Sequence, residues 1–66
     1  MQDMKDAHGT LIQEDDEVEV PEPIIGDMHV YAFTGRVDSF RQGMVVVIDQ
    51  DDDAYEIEPW RITTLG

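Results

Sequence analysis

The stretch Met44-Val45-Val46-Val47-Ile48-Asp49-Gln50-Asp51-Asp52-Asp53-Ala54-Tyr55-Glu56-Ile57 decides how this chain folds. An apolar run of five residues is too short for a buried helix or a membrane span and is rich in β-branched side chains, so it reads as a strand. Five polar residues follow as a hairpin loop, and Tyr55, Glu56 and Ile57 then alternate apolar and acidic as a half-buried strand must. Centring the loop on Asp51 and Asp52 pairs Ile48 with Tyr55 and Val46 with Ile57, all facing the core. Carried back through a turn at Gln42, the same register sets Val37 opposite Val46. It leaves Val45 and Val47 on the other face, beside Arg36, Asp38, Glu56 and Glu58.

Outward from this hairpin the period stays at two. Asp16-Glu17-Val18-Glu19-Val20 alternates acid and valine, which points Val18 and Val20 inward. Pro21 and Pro23 cannot donate to a ladder, so residues 24–31 form an irregular excursion. Residues 32–40 are aromatic and β-branched, with Gly35 between Phe33 and Val37 on one face, where two backbones can approach closely. After Ile57, Pro59-Trp60-Arg61 makes a single helical turn and Ile62-Thr63-Thr64-Leu65 a closing strand. Asp6-Ala7-His8-Gly9 has type I turn chemistry, and Thr10-Leu11-Ile12 reads as a short strand able to cover Val45 and Val47. Residues 1–5 are expected to be a flexible N-terminus and residues 6–66 one domain.

Composition sets the outer limits. Sixty-six residues make one small domain, and with no cysteine its core must be held by apolar burial alone. Ordering costs roughly 1.5 kcal/mol per residue, which leaves such a chain near break-even. Hydrophobic residues at 41% are too many for a disordered acidic tail. Four Lys and Arg stand against sixteen Asp and Glu, a net charge of −12. Nine of the acids precede residue 28, accompanied only by Lys5. Such a field repels phosphate backbones and anionic lipid, so direct nucleic-acid and membrane binding are not expected. The opening residues carry no apolar signal-peptide core, and a cytoplasmic location is expected.

Five short strands, a long excursion after the first, tight turns between the next, and a proline-containing turn before the last form a layout that resembles SH3-like barrels. The resemblance is carried by Val18-Glu19-Val20, Phe33-Thr34-Gly35-Arg36-Val37, Gly43-Met44-Val45-Val46-Val47, the loop from Asp49 to Asp53, and Ile57-Glu58-Pro59-Trp60-Arg61-Ile62. Gly35-x-Val37 and Gly43 look like the small bacterial KOW- and Tudor-like members. Asp6-x-x-Gly9-x-x-Ile12 with Asp16-x-Val18 is similar to the entry of phage-type members, with Asp15 where glycine is common. The resemblance implies an all-β barrel of five to six antiparallel strands with one single-turn helix at residues 59–61, and a binding module as its role. The tryptophan with which signalling SH3 domains grip proline-rich ligands is not matched where the strand begins Met44-Val45, and basic KOW loops are missing.

Sites for chemistry are few. Asp49-x-Asp51-x-Asp53 copies the first alternate ligands of a calcium loop, but Ala54 stands at its glycine position and Trp60 at its bidentate glutamate. His8 and His29 lack a second nitrogen or sulfur ligand at metal spacing, and His29 reads as an exposed loop residue beside Asp27. Ser39 has no base and orienting group, and the isolated glycines make no phosphate loop. No enzyme activity, cofactor or metal is expected. The expected function is protein-protein interaction through Ile24, Ile25, Tyr31, Trp60 and Arg61, with Val45 and Val47 as a further apolar patch. Tyr31 and Trp60 also have the chemistry of an aromatic cage for a cation. Trp60 can alternatively cap the core. Recognition of a basic partner by charge mimicry, as an accessory factor of nucleic-acid machinery, is the second expectation, and weak homodimerisation through Val45, Val47 or a strand edge the third.

Overall fold

Alternation of acid and valine, the chemistry of short turns and the apolar run at residues 44–48 translate directly into elements. The computed structural model describes residues 4–65. Its strands are β1 (Glu17–Val20), β2 (Phe33–Arg41), β3 (Met44–Ile48), β4 (Ala54–Ile57) and β5 (Thr63–Thr64), with one 3₁₀ turn at Pro59–Arg61 before β5. All pairings are antiparallel, in the order β4-β3-β2-β1-β5. The fold is therefore all-β, as the sequence predicts. Among the described residues no helix is long and apolar enough to cross a membrane.

Val18 and Val20 are fully buried, as their alternation requires. With them in the core stand Met4, Ile12, Val37, Val45, Val47, Ile57 and Ile62, flanked by half-buried Phe33, Phe40 and Tyr55. The expected register of the central hairpins is one residue out. Val45 pairs with Ile57 and Val47 with Tyr55, while Val37 faces Val47. A one-residue slip exchanges the two faces of a strand, so Val45 and Val47 are core and not an outer patch, while Val46, expected to be buried, is buried as well.

Two local features cause the slip. Asp49 Oδ1 accepts the N–H groups of Asp51 (2.8 Å) and Asp53 (3.0 Å), while the Asp49 N–H donates to the Asp53 carbonyl (3.0 Å). The loop therefore closes on the 49–53 pair and shifts β4 by one position. In β2 the register changes between Val37 and Ser39, a bulge at Asp38 that brings Val37 and Phe40 to the same side. The β2-β3 turn is Gln42-Gly43, whose φ values of 53° and 81° are the left-handed pair that a two-residue hairpin needs.

Close approach at Gly35 is tighter than spacing alone conveys. A Cβ there would lie 2.5 Å from the Ile48 carbonyl oxygen and 2.8 Å from Val47 Cγ1. Only glycine lets β2 come this close to the end of β3.

The N-terminal segment is part of the fold from Met4 onward, although residues 1–3 of the expected flexible terminus lie outside the described residues. Met4 is buried, and Lys5 bridges to Leu11 in place of the strand expected at residues 10–12. Ile12 is buried in the same cluster as Val45 and Val47, so the segment covers these valines within the core and not on an outer face. Asp6 is the anchor. Its Oδ1 accepts the N–H groups of His8 and Thr10, both at 2.8 Å, and its Oδ2 accepts that of Thr64 at 2.9 Å. Together with the Ala7 N–H donating to the Ile62 carbonyl (2.8 Å), this seals the outer edge of β5.

Candidate functional site

Residues 21–32 leave the sheet because the two prolines break the ladder, and side-chain chemistry then fixes their path. At the tip, the Ile24 N–H donates to Asp27 Oδ2 (2.9 Å) and the Asp27 N–H to the Ile24 carbonyl (3.0 Å), closing a tight turn. The same Asp27 carboxylate takes a two-pronged grip from Arg61, with Nη2 2.7 Å from Oδ2 and Nη1 3.1 Å from Oδ1. Arg61 Nη1 also donates to Glu58 Oε1 at 2.9 Å. With Arg61 and Asp27 side chains only 12% and 10% exposed, this fork ties the excursion to the 3₁₀ turn as a nearly dry ion pair.

The second tether is His29, which is buried and not the exposed loop histidine that its polar neighbours suggest. Its Nε2 lies 2.9 Å from the Pro21 carbonyl. Its ring meets Phe33 (5.6 Å) and Tyr55 (5.8 Å) edge-on, a packing that aromatic quadrupoles favour. Nδ1 is buried with no partner.

Held at these points, the excursion turns its apolar side chains outward. Ile24, Ile25, Met28, Val30 and Tyr31 are all exposed, Ile25 completely so. Trp60, next to the pinned Arg61, is 66% exposed and therefore does not cap the core. A groove of about 460 Å³ separates the tip from β4, lined by Ile24, Met28 and His29 on one side and Met44, Tyr55 and Ile57 on the other.

Charges near the site are committed inside the chain. The Arg61 guanidinium holds the Asp27 carboxyl down to about 2, helped by the Ile24 N–H. Arg61 likewise lowers Glu58, and the two acids raise Arg61 itself. Burial lifts the Tyr55 hydroxyl above its ordinary range, with the loop acids Asp53, Asp49 and Asp51 adding to the effect. At Asp6 burial pushes the carboxyl up, but the backbone donors of Thr64, Thr10 and His8 outweigh it and hold it well below the usual carboxylate range.

Of the residues expected at a contact surface, Ile24, Ile25, Tyr31 and Trp60 are exposed on or beside the excursion. Arg61 serves as the internal strut instead of a contact residue, and Val45 and Val47 belong to the core. Among the described residues the rings that meet are His29, Phe33 and Tyr55, packed against the core, while Tyr31 and Trp60 are each exposed. Sequence reasoning missed Asp27, Glu58 and His29 as the residues that shape the excursion. The available signal was a lone arginine three residues after Glu58 in a chain with a large surplus of acid. A second concavity of about 420 Å³, lined by Asp15, Glu17, Arg36, Asp49 and Asp52 around Gly35, is polar and open.

The chain matches no protein-family model, and comparison with curated proteins and with solved structures gives no match.

Proposed function

We propose that the chain is a small acidic SH3-like binding module, without catalysis, that recognises a protein partner through the excursion and Trp60. The observation that carries this reading is an apolar loop fixed in shape while exposed. Ile24, Ile25 and Met28 stand in water on a turn whose base is clamped by Arg61 and Asp27. An exposed apolar patch costs solubility, and holding it rigid lowers the entropy lost on binding. The SH3-like assignment is supported by the order of elements, by the proline-bearing turn before β5, and by Asp15. This residue, at the place where glycine is common, has the left-handed φ of 72°.

Paired substitutions test the reading. Ile25→Asp with Met28→Asp, and separately Trp60→Ala, should leave the thermal melt within a few degrees of wild type, because these side chains are not in the core. The same variants should lose partners retained by the immobilised wild-type chain in high salt. A partner held by charge mimicry would instead be released by salt and ignore these substitutions. That outcome would replace this reading with the acidic accessory role.

A further inference from the structure

The two edges of the sheet are treated differently. The edge at β5 is sealed by the Ala7 N–H and the Asp6 carboxylate. The edge at β4 has no such cover among the described residues. Which of its groups are free follows from the loop. Asp49 and Asp53 form a hydrogen-bonded pair, and bonded pairs alternate with non-bonded ones along an antiparallel ladder. Val47-Tyr55 and Val45-Ile57 are therefore bonded pairs, and Ala54 and Glu56 aim their N–H and C=O groups away from β3. These groups border the groove lined by Ile24 and Met28 on one side and by Met44, Tyr55 and Ile57 on the other.

We propose that this edge pairs with an extended segment of a partner protein in which lysine or arginine alternates with apolar residues. The proposal rests on the reading of the chain as a protein-interaction module and names the chemistry of its partner. Backbone groups at Ala54 and Glu56 supply the ladder, and alternate apolar side chains enter the groove, as strand addition requires. Charge selects the occupant. The exposed acids of residues 51–53 stand at one end of β4, and among the described residues Glu56 on the edge is paired only with the exposed Arg41, at 3.6 Å. A second copy of this chain would bring those acids against their own kind on a molecule of net charge −12. Like charges directly across a strand pair are destabilising, so the acids that deter self-pairing favour a cationic strand.

The test is a titration of the full ¹⁵N-labelled chain with a short peptide alternating lysine and valine, and in parallel with one alternating glutamate and valine. The lysine peptide should shift the Ala54 and Glu56 amides and slow their hydrogen exchange, and the glutamate peptide should not. Ala54→Pro removes one outward N–H at a position where an edge strand tolerates proline, and should weaken binding about tenfold. Glu56→Lys, which alters only an exposed side chain, should weaken it as well. Shifts confined to Ile25, Met28 and Trp60 would overturn the strand pairing and leave the interaction module standing, which is judged by the excursion variants above. Absence of any shift, equal binding of the glutamate peptide, or protection at Ala54 and Glu56 that grows with protein concentration alone would each overturn the proposal.

Discussion

Asp6 and Asp27 show how single carboxylates organise a chain that carries acid in excess. Asp6 accepts three backbone N–H groups and joins the first turn to β5, 58 residues away. Asp6→Ala leaves those donors without a partner and should cost about 2–4 kcal/mol in urea unfolding. The Asp27-Arg61 pair makes stability sensitive to acid. With a folded value of about 2 against an ordinary 3.8, Asp27 adds stability above the ordinary value that is lost as pH falls through the folded one. Asp6 and Glu58, also lowered, act in the same direction. Urea midpoints should therefore hold from neutral pH to just above the ordinary carboxylate value and then drop. Arg61→Met should start lower and drop less. A midpoint in wild type that rises on acidification would contradict the assignment of these carboxylates.

At the scale of elements, the close approach of β2 and β3 at Gly35 and the register of the hairpin carry the sharpest consequences. Gly35→Ala sets a methyl against the Ile48 carbonyl and should cost at least about 2 kcal/mol. Val47→Lys should unfold the chain, because Val47 is fully buried, whereas Ile48→Lys, at a half-buried position beside the acidic loop, should leave it folded. Circular dichroism of the two variants separates this register from the one-residue alternative. Strand positions, the inward faces of β1 and the 3₁₀ turn at Pro59–Arg61 were legible in the sequence, because alternation and proline act locally. Register was not. It depends on the Asp49 carboxylate choosing the N–H groups of Asp51 and Asp53 and on a bulge at Asp38, and neither leaves a mark in the apolar pattern. The exposed apolar side chains of the excursion could be read from its composition. Burial of His29 could not, because its partners Phe33 and Tyr55 lie on different strands.

For the molecule as a whole, the surplus of acid has two uses. Some carboxylates, at Asp6, Asp16, Asp27 and Asp49, hold turns by accepting backbone N–H groups. Others, Glu17, Glu19 and Glu56 on outward pleats and Asp51, Asp52 and Asp53 in the β3-β4 loop, are exposed, and a net charge of −12 opposes association of copies while an apolar loop stands in water. Among the described residues one edge of the sheet is sealed and the other is open, and the excursion sits beside the open one. The rigidity of that excursion is the property on which the proposed recognition depends, and ¹⁵N backbone relaxation of residues 24–31 measures it directly. Order parameters of about 0.85, equal to those of the strands and reduced by Arg61→Met, are the expected result. Values below about 0.6 in the wild-type chain would contradict it, because a loop moving freely on that timescale presents no fixed surface.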